Sequence, residues 1–353
     1  MFLNTLTHLQ CPACAGELAC TSTEQEIQTG SVCCNHAKCG LSFPILAGVL
    51  ILVPDVRAYL IEHVKGISRQ VEDREIPKEH RAAFVRAKKQ ISVEHIEEDL
   101  ESERVTSLYL MNSYLRAAEV VSPSPAIQEW VHKYWDHGPF EKIKIQLKKR
   151  DEPSSLVELG CGVGGLLEAL KECRLKSYLG LDSSFASIVL ARHFAFGAPL
   201  KGVLRTPDDL LDGPVSRAFK PVAPKPNPSI AFDFVVCDLS DPPLKTGKWE
   251  AVAALNVIDM LPEPSALPQL QYDLLKKGGF AIQSSPYIWH QETALELREG
   301  VPPKIKDSAG AVEWLYQQRG FKIDWMEPHV PWLFFKNARQ LELYSVHLFF
   351  ASK

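Results

Sequence analysis

Leu156-Val157-Glu158-Leu159-Gly160-Cys161-Gly162-Val163-Gly164-Gly165 is an apolar run of strand type that breaks into glycines and continues as a helix. Glycines at such a point let a tight turn form and let backbone N–H groups approach a ligand at the positive end of the next helix. The turn alone does not separate one nucleotide-binding fold from another, because dinucleotide enzymes share the same logic. Its downstream partners decide. About twenty residues on, Tyr178-Leu179-Gly180-Leu181-Asp182-Ser183-Ser184 is a second short strand ending in an acid, where a ribose diol would be held. Phe234-Val235-Val236-Cys237-Asp238-Leu239 ends a third strand in another acid. A fourth runs from Trp249 through Leu255-Asn256-Val257-Ile258-Asp259.

This order of motifs resembles class I S-adenosylmethionine-dependent methyltransferases, which carry a glycine loop, a ribose acid, an adenine acid and an Asn-rich fourth strand end. The resemblance covers residues 151–353 and implies an α/β fold, a Rossmann-like seven-stranded methyltransferase sheet with a terminal hairpin. It implies that Glu158, Gly160, Cys161, Gly162 and Gly164 form the cofactor loop and that Asp182 with Ser183 takes the ribose hydroxyls. Asp238 with Leu239 would read the adenine edge, and Asn256 completes the set.

At 353 residues, 46% hydrophobic and with a net charge of −4, the chain is long enough for one large domain and a small one. A pI near 6.3 argues against a globally basic nucleic-acid binder, and the basic run Lys144 to Arg150 reads as a solvated helix face. The longest apolar run, Phe43 to Val53, is far shorter than the roughly 20 residues of a membrane helix, and residues 1–10 lack the pattern of a secretory signal. A cytoplasmic protein without membrane contact is expected, its oligomeric state open.

Of nine cysteines, six lie before residue 40 in paired spacing, which in a cytoplasmic chain favours metal over disulfides. Cys11-Pro12-Ala13-Cys14 can grip one face of a tetrahedral zinc, and Cys39 before Gly40 starts the second pair. Its companion is read as Cys34, with Cys33 and His36 left open by the spacing. The segment resembles the zinc ribbons of the methyltransferase-activator type, although a plain second CxxC would place His36 where the family has cysteine. Four protein ligands leave no open position, so the zinc is expected to be structural.

The expected organisation is a zinc ribbon at 1–55, a helical connector with leading helices at 56–150, and the methyltransferase domain at 151–353. Apolar positions Ile91, Val93, Ile96, Leu100, Val105, Leu108 and Leu115 recur at loosely helical intervals, and Ala126 to Trp135 starts another helix. Tyr134 and His137 are candidates to line the site, against the alternative of packing on the sheet. Residues 197–229, dense in proline, are read as an insertion without regular structure. With so long a connector, loss of the ribbon is expected to leave cofactor affinity nearly unchanged.

Methyl transfer from a sulfonium is an in-line displacement, so alignment is the main task and no protein nucleophile is needed. Asn256, Asp259, Tyr287 and Trp289, at or past the ends of the fourth and fifth strands, are the expected acceptor-site residues. The segment Asn256 to Pro264 with Ser285-Pro286-Tyr287-Ile288-Trp289 resembles the methyltransferase domain of ovothiol biosynthesis, which modifies an imidazole nitrogen. That likeness implies a small imidazole-like or amino-acid-derived substrate. The rival readings are an RNA or translation-factor methyltransferase that uses its ribbon on the substrate, and a non-catalytic adaptor that binds cofactor.

Overall fold

A computed structural model of the chain describes all residues except 92–107, 151, 202–204, 208–215, 219–230 and 338. Four strands precede the helices: β1 (Leu18–Cys20), β2 (Gly30–Cys34), β3 (Ser42–Leu46) and β4 (Val49–Ile51). Past residue 150 come β5 (Ser155–Leu159), β6 (Ser177–Asp182), the short pair β7 (Arg205–Pro207) and β8 (Ser216–Ala218), and β9 (Ala231–Val236). Then follow β10 (Trp249–Leu255), β11 (Leu275–Ser285), β12 (Lys322–Asn337) and β13 (Gln340–Ser352).

The main sheet has the order β1-β2-β3-β4-β9-β6-β5-β10-β11-β13-β12. From β4 to β11 neighbours run parallel, and β13 turns antiparallel between β11 and the edge strand β12. Covered on both faces, its central strands are continuous apolar runs rather than alternating ones: Ala251 to Leu255 is buried throughout. The chain steps outward from β5 through β6 to β9, then crosses back to β10 on the other side of β5. That reversal puts the topological switch point at the carboxyl ends of β5 and β10, where open α/β sheets hold ligands in a crevice.

The expected sheet of seven strands is therefore part of one of eleven, because the cysteine-rich segment does not stand apart. Leu50 and Ile51 of β4 pair with Val235 and Val236 of β9, and the Leu52 N–H donates to the Val236 carbonyl at 2.8 Å. Asp233 fastens the same seam. It is 1% exposed, accepts from the Phe2 N–H at 2.7 Å and the Thr5 hydroxyl at 2.9 Å, and pairs with the fully buried Arg192 of the helix Phe185–Phe196. Phe196 stacks under that guanidinium at 4.5 Å.

Three further differences from the sequence reading have local causes. Strand β12 runs past Pro328 and Pro331 because it is an edge strand, where a missing N–H is tolerated, and its register shifts between Glu327 and Val330. The insertion holds the two-stranded pair β7 and β8 upstream of the proline cluster, while the cluster itself lies outside the described residues. The helix Gln291–Gly300 was not expected because it buries no residue and so shows no apolar stripe. The connector is helical over Val56–Glu62, Val64–Gln70 and Lys78–Gln90; Val93, Ile96, Leu100 and Val105 lie outside the described residues.

Candidate active site

The turn after β5 has left-handed backbone at Gly160, Gly162 and Gly164, with φ of 75°, 51° and 84°. Sterics add to this at Gly160, where a Cβ would lie 2.4 Å from the Val257 side chain of the loop after β10. A Cβ on Gly162 would meet nothing within 4 Å, so the turn presents bare backbone to open space there. Gly164 caps the short helix Gly165–Leu170. Cys161 and Glu158 of the expected loop set are buried, at 5% and 3% exposure. Cys161 packs over Gly180, and Glu158 accepts from the Tyr178 hydroxyl. Burial pushes the Glu158 carboxyl up to about 8 against that hydrogen bond. Glu158 thus braces the loop from inside the domain.

Asp182 ends β6 beside this turn. Its Oδ2 accepts from the Gly162 N–H at 2.9 Å and its Oδ1 from the Ser184 N–H at 2.8 Å. One hydrogen bond on each oxygen leaves lone pairs for a further donor on both. Burial raises the carboxyl above its ordinary value, while the backbone donors lower it. Tyr59, from the first helix after the ribbon, donates to the Ser183 carbonyl at 2.6 Å and accepts from the Phe185 N–H at 3.1 Å. Asp238 is exposed just past β9, with Oδ1 on the Ser240 N–H at 2.8 Å, and the Leu239 side chain lies 3.7 Å from the position of a Gly160 Cβ.

Across the crevice, Asn256 and Tyr287 are two of four non-glycine residues with positive φ, at 57° and 59°, among the described residues. Bulky side chains rarely adopt that backbone, and its concentration after β10 and β11 marks these loop turns as tightly determined. Asn256 is held by β11: its N–H donates to the Ser284 carbonyl at 2.8 Å and its Oδ1 accepts from the Ser284 hydroxyl at 3.1 Å. Asp259 is 3% exposed; Oδ2 accepts from the Ile288 N–H at 2.8 Å and Oδ1 has no hydrogen-bond partner among the described residues. Tyr287 and Trp289 stack at 5.6 Å with 16° between planes, and the Trp289 indole donates to the Ser308 hydroxyl at 3.0 Å.

Four participants escaped the sequence reading. The Tyr287 hydroxyl meets His347 Nδ1 at 2.7 Å, and His347 Nε2 lies 3.5 Å from a carboxylate oxygen of Glu313. Tyr109, half-exposed on the helical residues 108–114, sits edge-on to Phe334 at 5.7 Å. Burial, and then the charges of Asp182 and Asp259, raise its hydroxyl above the ordinary tyrosine value. Tyr114 reaches over the glycine turn to donate to the Val163 carbonyl at 2.7 Å. Tyr134 instead packs against Trp130 at 5.7 Å, and His137 is exposed in the turn Trp135–His137.

In the ribbon, the sulfurs of Cys11, Cys14, Cys34 and Cys39 lie within 4.8 Å of one another, with Cys11–Cys39 at 3.7 Å and Cys14–Cys34 at 3.5 Å. A tetrahedral zinc with bonds of about 2.3 Å sets its sulfurs about 3.8 Å apart, close to the two shortest separations in the cluster. Gly16 is needed there, since a Cβ would lie 3.0 Å from the Cys34 sulfur. Cys33 points out on the opposite face of β2, and the His36 N–H donates to the Cys34 sulfur at 3.4 Å.

The family described as "Methyltransferase domain" matches residues 127–325, more than half of the chain. No curated protein matches. Among solved structures, magnesium protoporphyrin IX methyltransferase from Synechocystis PCC 6803 is similar at 16% identity, covering 71% of this chain and 97% of its own, with a TM-score of 0.41. An S-adenosylmethionine-dependent methyltransferase from Mesorhizobium loti shares 16% identity over 61% of this chain and 99% of its own, with a TM-score of 0.38. Phosphoethanolamine N-methyltransferase 2 from Haemonchus contortus shares 16% identity over 53% and 38%, with a TM-score of 0.33.

Proposed function

The chain belongs to the methyltransferase domain family, and from that premise we propose that it transfers the methyl group of S-adenosylmethionine to a small, planar, nitrogen-bearing acceptor of imidazole or amino-acid type. The observation that carries the cofactor half is the junction of Asp182 with the Gly162 amide. It sets a carboxylate with spare lone pairs beside bare glycine backbone at the topological switch point. Charged hydrogen bonding of the ribose diol to this carboxylate would contribute on the order of 1.5–3 kcal/mol. Asp238 and Leu239 would meet the adenine, and Asn256 would face the cofactor from β10.

The acceptor half rests on Asp259. A buried carboxylate oxygen without a donor is costly, and a ligand N–H delivered to Oδ1 would satisfy it. Tyr287 and Trp289 supply a flat aromatic face next to it, suited to a ring. The cofactor supplies an electrophilic methyl group; this chain's residues orient the acceptor's lone pair on the sulfur–carbon axis and exclude water.

The four ribbon cysteines are proposed to hold one structural zinc. All nine cysteines are free, as suits a reducing compartment such as the cytoplasm, and no helix among the described residues is long and apolar enough to cross a membrane. The ribbon joins the sheet beside β9, with β6 and β5 between it and the β10–β11 end, which favours a supporting role over substrate delivery. The test is transfer of labelled methyl from S-adenosylmethionine to a panel of imidazoles, including histidine and thiolated histidine, with bulk RNA in parallel. Labelling of RNA alone would overturn the small-molecule reading.

A further inference from the structure

His347 is 2% exposed on β13, opposite Ser285 at the carboxyl end of β11, and no sequence motif surrounds it. Its two ring nitrogens have different neighbours. Nδ1 meets the Tyr287 hydroxyl at 2.7 Å, while Nε2 has no hydrogen bond and faces Glu313 Oε1 at 3.5 Å, a gap that a small side-chain rotation closes. Glu313 lies on the helix Ser308–Gln318, and its side chain is 25% exposed, so the chain of groups runs from the aromatic wall to solvent.

A packing role would be served by apolar side chains here. Instead, two of the four buried polar side-chain atoms without partners among the described residues belong to His347, which meets the Tyr287 hydroxyl, and to Asp259, which accepts from the Ile288 N–H next to Tyr287. We propose that Tyr287, His347 and Glu313 form a proton relay that removes the acceptor's dissociable proton during methyl transfer. The inference rests on the methyltransferase reading above and adds to it that the acceptor carries an N–H or O–H on, or conjugated with, the attacking atom.

The step balances without a further reagent. The acceptor's lone pair forms the bond to the methyl carbon as the carbon–sulfur bond breaks and leaves its electron pair on sulfur. The positive charge left on the acceptor is discharged when its N–H or O–H proton moves to Tyr287 Oη. The hydroxyl's own proton passes to His347 Nδ1, and the proton on Nε2 passes to Glu313 and on to water. His347 must rest neutral with its proton on Nε2, and burial does hold it neutral, lowering it to about 4. Asp307 and His329 act on the imidazole with opposite signs, and burial, then Glu313, Asp259 and Asp307, disfavour a standing phenolate at Tyr287. In this scheme Tyr287 meets the acceptor, and His347 and Glu313 are positioning residues that act through it.

Two measurements on the full chain decide the matter. Long-range proton–nitrogen NMR of histidine-labelled protein reads the tautomer without any acceptor. The expected result is His347 neutral from pH 8 to about pH 5 with Nε2 protonated and Nδ1 bare, and a displaced Nδ1 resonance in Tyr287→Phe. Protonation of Nδ1 instead would reverse the hydrogen bond and overturn the relay. With an acceptor from the imidazole panel, Glu313→Gln should lower kcat on the order of 100-fold and move the pH profile upward, leaving KM for S-adenosylmethionine within about two-fold. An unchanged profile in Glu313→Gln, a surface-reaching change that spares the core, overturns the relay even if methylation itself is established. Loss of S-adenosylmethionine binding in the wild-type chain, read by calorimetry, would strike the methyltransferase reading instead.

Discussion

Leu50 of the cysteine ribbon is the parallel-ladder partner of Val235, three residues before Asp238. The hairpin that carries the four-cysteine cluster thereby forms the outer neighbour of the strand that leads to the expected adenine acid. Tyr59, just downstream, grips the backbone after Asp182. The cysteine-rich segment and the proposed cofactor site therefore share one hydrogen-bonded frame.

The expected consequence is that metal removal destabilises the whole protein. Chelation, or Cys39→Ser, should lower the melting temperature by about 10 °C or more, since structural zinc contributes several kcal/mol and each kcal/mol shifts a domain this large by about 2–4 °C. Calorimetry should show one transition, with weakened cofactor binding. Two separate transitions would mean that the ladder between β4 and β9 couples nothing.

The two glycines of the turn should separate fold from binding. Gly160→Ala drives a Cβ to 2.4 Å from Val257 at positive φ and should lower stability strongly. Gly162→Ala meets open space, so its stability loss should be limited to about 1–2 kcal/mol of backbone strain. Denaturant melts check the first difference. S-adenosylmethionine titration should then show Gly162→Ala folded but impaired, because its methyl projects into the cofactor's approach.

Glu158 gives a pH signature. Its folded value, raised to about 8, lies above that of the unfolded chain, so between about pH 4.5 and 8 the native state holds a proton that the unfolded state has lost. Glu158 therefore withdraws stability as pH rises through that window, by at most about 1.4 kcal/mol per unit, and nothing more is lost above it. Glu158→Gln keeps an acceptor for Tyr178 and should flatten the decline. Identical slopes in the two proteins, from urea melts at pH 5, 6, 7 and 8, would refute this.

Asp233 should matter for stability rather than for cofactor. Truncation to Ala leaves the fully buried Arg192 guanidinium with only the part-exposed Glu26 as its carboxylate partner, a change of about 3–5 kcal/mol. Equal losses of cofactor affinity in Asp233→Ala and Asp182→Ala would show that the ribose acid has been misassigned.

What could be read in the sequence was local. Gly160, Gly162 and Gly164 with Asp182 form a spaced motif, and period-two alternation along β2 separates buried Cys34 from exposed Cys33. What could not be read depends on register between distant strands. His347 reaches Tyr287 only because β13 pairs antiparallel with β11, and Glu313 arrives from a third element. The fusion of ribbon and sheet was hidden for the same reason: Val49-Leu50-Ile51 is an apolar run whose partner lies far along the chain. Tyr109 was passed over for Tyr134, since helical periodicity gives a face but not what that face covers.

Titration of S-adenosylmethionine into the full-length wild type and Asp182→Ala by calorimetry addresses the central claim most directly. The expected result is one site in the wild type and a loss of about 1.5–3 kcal/mol, roughly 10- to 150-fold in Kd, in the variant, which still unfolds cooperatively although the Gly162 and Ser184 amides lose their acceptor. No binding to the wild type at millimolar cofactor, or equal affinity in both proteins, would contradict the assignment of this crevice as the cofactor site.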